Sequence, residues 1–150
     1  MRRIWEYLRS RAFWDHRRRM ERALERHGDV RKDGLQLDQM QHRLEIRWRA
    51  REVHPWDRHL PRDERQRRFV EQSLVDTEAA LARLFEASLE VDVIDFCVTD
   101  PRSGVTMLSG AVFRTDFKNA RPSPSVRMRL SELGVHFESL EMDYSYQLRV

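Results

Sequence analysis

The sequence predicts an α+β protein: a helical N-terminal half of about three helices, packed on a small, mainly antiparallel β-β-α-β sheet. Three observations predict it. Apolar residues recur at helical spacings as far as about residue 89. From Glu90 the apolar period shortens to two, as a half-buried strand requires. The chain has 150 residues, 40% of them apolar, with only five Gly and five Pro, so it suits one globular domain rather than a disordered segment. Within that domain, residues 1–60 read as a basic helical part and 61–150 as a long helix followed by the β-β-α-β part.

The first element is a helix over about residues 2–27. Ile4, Trp5, Leu8, Ala12, Phe13, Met20 and Leu24 recur at helical steps, and Gly28 supplies a stop. Arg17, Arg18, Arg19 and Arg22 crowd its middle, so one face is strongly basic while the Trp and Phe side chains are expected in the core. Residues 35–53 carry two patterns. Leu37, Met40, Leu44 and Trp48 make one helical face, yet Leu44, Ile46, Trp48 and Ala50 also alternate with charges as a strand would. The helical pattern spans the whole segment and the strand pattern only its end, so a helix is expected, closing at His54 before Pro55.

From Pro61 to about residue 89, Val70, Leu74, Thr77, Leu81 and Leu84 fall at alternating steps of four and three, which defines a long amphipathic helix. Phe69, Ala80 and Phe85 widen its buried face. "VDVIDFCVT" and "VTMLSGAVFRT" then read as a hairpin closed by the turn residues of "DPRSG". A short helix follows, capped by Ser125, packed through Val126, Leu130 and Leu133, and ended by Gly134. The final run "LEMDYSYQLRV" alternates apolar and polar residues and is expected to be a strand whose Tyr144, Tyr146 and Leu148 can pair with another chain. A homodimer or an obligate hetero-complex is the expectation from that strand.

Charge is unevenly spread. Residues 1–68 hold 20 Lys and Arg against 12 Asp and Glu, whereas residues 69–150 hold 8 against 13. Such asymmetry points to an anionic partner, for which Arg17, Arg18, Arg19, Arg47, Arg51, Arg67 and Arg68 are the candidate surface. The 26 Arg against two Lys also suit the coding bias of a GC-rich bacterial genome. No run of 18 apolar residues occurs and the N-terminal stretch lacks a signal-type apolar core, so a cytoplasmic protein is expected. Cys97 is the single cysteine, which excludes an internal disulfide and a thiolate cluster.

Chemistry-bearing motifs are sparse. His54, His59 and Cys97 lack metal-ligand spacing, and Asp92 and Asp95 fall on opposite faces of their strand, so neither a metal nor a cofactor is predicted. Cys97 sits among apolar neighbours and reads as a small core residue rather than a nucleophile. No phosphate-binding glycine loop or nucleophile elbow is present, and catalysis is not expected. The segment "IRWRAREVHPWD" places Ala50, Val53, His54 and Pro55, then Asp57 after Trp56, in an order that resembles the J-domain of the co-chaperone family. That resemblance implies a basic helix leading into the loop His54, Pro55, Trp56 and Asp57, which would engage a heat-shock chaperone ATPase. Read from the residues alone, Pro55 stops an element, Trp56 fills the core and Asp57 starts the next turn. The leading functional expectation is a non-catalytic adaptor of a bacterial cytosolic complex that binds a protein partner through its basic helical half. Nucleic-acid binding is the alternative, and a J-domain-like co-chaperone the third.

Overall fold

The computed structural model describes residues 2–29 and 34–138. In chain order it contains α1 (Arg2–Leu24), β1 (Leu35–Met40), β2 (Arg43–Arg49), a 3-10 turn (Pro55–Asp57), α2 (Arg62–Ala87), β3 (Val93–Thr99), β4 (Thr106–Phe113), α3 (Arg114–Lys118), α4 (Val126–Glu132) and β5 (His136–Phe137). The α+β class is as the sequence predicts. The final strand over 140–150, with Tyr144, Tyr146 and Leu148, lies outside the described residues.

The helical N-terminal half is overturned. Residues 35–49 form a hairpin in place of a helix, so among the described residues only α1 and the Pro55–Asp57 turn are helical before α2. Two short strands joined by Gln41 and His42 together match the length of a helix, which is how the longer pattern misled. Burial decides between the two patterns. Leu44, Ile46 and Trp48 are buried whereas Arg43, Glu45 and Arg47 are exposed, and Met40, counted on the helical face, is 70% exposed. The tight turn is closed by the pairing of Met40 with Arg43 and places Gln41 at φ 53, in the left-handed region.

A single five-stranded sheet runs in the order β1-β2-β3-β4-β5, so the sheet joins the two parts of the chain. Three pairings are antiparallel, while β2 and β3 are parallel from Arg43 opposite Val93 to Arg49 opposite Thr99. Parallel neighbours need a crossover, and α2 provides it. The β3–β4 hairpin closes on Asp100, whose carboxylate accepts the backbone N–H groups of Arg102 at 2.7 Å and Ser103 at 3.0 Å.

One face of the sheet makes the core. Leu44, Ile46, Trp48, Ile94, Phe96 and Val98 pack there with Met20 and Leu24 of α1, Leu74, Leu81 and Leu84 of α2, and Leu130 of α4. Trp48 stacks on Phe96 with ring centroids 5.6 Å apart. Gly28 serves this contact more than it ends α1: a Cβ there would stand 2.7 Å from the Trp48 ring. Helix α4 is built as its sequence directs, since Ser125 Oγ accepts the Met128 N–H at 3.4 Å and Gly134 leaves the helix at φ 86.

Candidate functional site

The first half of α1 is the most exposed apolar surface among the described residues. Every described side chain before His16 is exposed, whereas Met20 and Leu24 are fully buried. The helix thus changes role along its length. Its later turns pack on α2, and its earlier turns carry Ile4 at 63%, Phe13 at 48% and Trp14 at 56% exposure. Phe13 and Trp14 meet edge to face, with centroids 5.9 Å apart, so the two rings form a small rigid aromatic ledge. The helix as a whole holds eight Arg against three acidic residues. Apolar, arginine-flanked surface of this kind is typical of the anchors that dominate protein interfaces. The sequence placed Phe13 in the core, and the exposure of this segment corrects that reading.

The seven arginines singled out for an anionic partner are distributed over the molecule. Arg18 and Arg19 are exposed on α1, Arg67 on α2, and Arg47 on the sheet face opposite the helices. Arg17 pairs with Glu21 at 3.0 Å and donates to the Leu35 carbonyl at 3.3 Å. Arg51 grips the buried Asp76 carboxylate with two bonds of 2.9 Å, and His27 Nδ1 stands 3.5 Å from the same carboxylate. Arg68 bridges Asp57 at 3.2 Å and Glu64 at 3.3 Å. Three of the seven therefore hold elements together, since a guanidinium committed to a carboxylate has its fork of donors occupied.

The loop His54–Pro55–Trp56–Asp57 is ordered by its own atoms. His54 Nδ1 accepts the Trp56 N–H at 3.3 Å, the Pro55–Asp57 segment makes one 3-10 turn, and Asp57 reaches Arg68 on α2. Trp56 does not fill the core: it is 79% exposed, stacked with His54 at 6.5 Å. The Asp57–Arg68 tie and the short turn fix the backbone without needing the indole inside. The loop is reached from strand β2 and not from the basic helix that the co-chaperone resemblance implies.

The remaining candidates are spread apart. Cys97 is half-buried, with Sγ 3.3 Å from Thr106 Oγ1. Asp95 is paired with Arg43, and Asp92 stands 3.9 Å from His42. Among the described residues no three His, Cys, Asp or Glu side chains are grouped to hold a metal ion. No helix among them is long and apolar enough to cross a membrane. His16 is set apart chemically: burial lowers its pKa first, Arg19 lowers it further and Glu90 opposes them. Its Nε2 is buried without a partner.

Comparison of the chain with protein-family models, with curated proteins and with solved structures finds no match.

Proposed function

We propose that the protein is a non-catalytic adaptor of a cytosolic complex, and that it docks a protein partner on the first half of α1. The supporting observation is the exposure of Ile4, Phe13 and Trp14 on a helix rich in arginine. Residues 2–15 extend over roughly 20 Å at 1.5 Å per residue, enough to lie in a groove of another protein. The charge of the helix selects an acidic partner. Two copies of α1 laid side by side would oppose like charges, so an acidic groove on a different protein is favoured over self-pairing.

The test is made on an isolated pair. A partner identified by cross-linking to full-length protein in its native host is purified, and its affinity is measured by calorimetry. Phe13→Glu combined with Trp14→Glu should weaken the pair by about 100-fold or more, because both aromatic anchors are lost. Arg47→Gln, on the other sheet face, should leave affinity unchanged. An unaltered affinity in the aromatic double variant would remove α1 as the docking surface. Nucleic-acid binding predicts a different behaviour, with affinity for DNA falling steeply as salt rises and following the arginines more than the aromatics.

A further inference from the structure

Arginine pairing divides this molecule in two. Arg17, Arg43, Arg49, Arg51, Arg68, Arg114 and Arg129 all bond acceptors. Arg58, Arg62, Arg65 and Arg102 have no such bond among the described residues, and all four line one cleft of about 470 Å³. The Arg65 Nε is buried there with no hydrogen-bond partner. A buried guanidinium nitrogen left unsatisfied is costly, and four like charges around one cavity repel each other.

The position of the cleft supports an anionic occupant. It lies where the parallel pair β2 and β3 end, between the loop that leaves Arg49 and the turn that follows Thr99. Crevices outside the carboxyl ends of parallel strands are where open α/β sheets bind ligands. The 26-residue helix α2 also starts here, and Pro61 at its head supplies no side-chain cap, so the positive end of the helix adds to the four guanidinium groups. Two carboxylates are near. Asp100 spends one of its oxygens on the turn N–H groups of Arg102 and Ser103, and Glu52 is exposed, which leaves the lining positive. Val53 and Phe69 give the cleft an apolar wall. The volume is within the usual span of roughly 300–1,000 Å³ for small-molecule sites.

We propose that this cleft binds a phosphate or diphosphate group, held by the forked donors of Arg58, Arg62, Arg65 and Arg102, with the uncharged part of the ligand against Val53 and Phe69. Guanidinium forks match phosphate oxygens in pairs, which a single ammonium group does not. The site is independent of the docking face on α1. Sequence reading missed these four residues because nothing in the sequence distinguishes an arginine that finds a carboxylate from one that does not.

Calorimetry of the full chain with pyrophosphate, ADP and a 5′-phosphorylated oligonucleotide tests the proposal. Pyrophosphate should bind one per chain and saturably. Arg62→Gln combined with Arg102→Gln should weaken it by about 30-fold or more, with thermal unfolding checking that these two exposed positions leave the fold intact. Arg62→Lys with Arg102→Lys should lose less, since charge is kept and only the fork is lost. Arg11→Gln with Arg18→Gln, on α1, should change nothing. ADP binding more tightly than the oligonucleotide would assign the phosphate to a small metabolite, and the reverse order to the end of a nucleic acid. Absence of saturation up to about 10 mM pyrophosphate, or equal weakening by the α1 variants, would overturn the proposal.

Discussion

The two ends of α2 use arginine in opposite ways. At the C-terminal end, Arg114 reaches in from the end of β4 and donates to the carbonyls of Phe85 at 3.1 Å, Ser88 at 2.5 Å and Val91 at 2.7 Å. Its guanidinium also lies 4.8 Å over the Phe85 ring. A cation at the negative end of a helix, satisfying carbonyls that would otherwise lack donors, stabilises that end twice. At the N-terminal end, Arg62 and Arg65 stand at the positive pole with Arg58 and Arg102 beside them, and no acceptor among the described residues meets them. The residue type is the same and the electrostatics are reversed. One end is finished by the fold itself, and the other is finished when an anion arrives.

The largest effect should come from the completed end. Arg114→Ala strips three carbonyls of their donor and should cost about 3 kcal/mol in denaturant unfolding. Arg114→Lys should recover only part, because one ammonium cannot span three acceptors. A loss under about 1 kcal/mol would mean that water caps this end as well as Arg114 does.

Midway along α2, Asp76 joins Arg51 after β2 and His27 after α1. Asp76→Ala should cost about 2 kcal/mol, held below the cost of breaking a wholly buried pair because Arg51 is 45% exposed and can hydrate. A double-mutant cycle with Arg51→Ala measures how much of that loss belongs to the pair.

A smaller effect is expected from His16, next to Glu90 just beyond the C-terminal end of α2. Its pKa is lowered in the folded chain, chiefly by burial, so the unfolded chain binds the proton more readily. The neutral ring's contribution is therefore present in full above about pH 6.5 and is lost as pH falls from there through the lower folded value. His16→Gln should flatten the pH dependence of stability in that window, and an unchanged slope would assign the dependence to another group.

The smallest effect is expected at the open end. Arg62→Gln should change stability by no more than about 0.5 kcal/mol, and in the stabilising direction, since it removes a cation from the positive pole of the helix. The same change should weaken pyrophosphate binding. A marked loss of stability would show that Arg62 has a structural partner and would erase the contrast between the two ends.

How much of this was legible in the sequence depended on whether neighbours along the chain or across it decided the outcome. The steps Val70, Leu74, Thr77, Leu81 and Leu84 are a property of one helix, and α2 follows them. The turn "DPRSG" and the Ser125 cap act within a few residues, and they too are found as read. The segment 35–49 has both a helical and a strand reading, and its own residues do not choose. Pairing with β3, some fifty residues away, gives the strand its backbone partners and buries Trp48 against Phe96.

The sequence by itself determined the α+β class, the long helix, the β3–β4 hairpin and the basic character of the first 68 residues, because each is set by period, turn chemistry or composition. Tertiary structure alone decided that Trp14 and Trp56 face water while Trp48 does not, and that Arg51 and Arg114 are satisfied while Arg62 and Arg102 are left to line a cleft. The physical reason is reach. A guanidinium or an indole finds its environment across space, from residues that its own stretch of sequence does not contain.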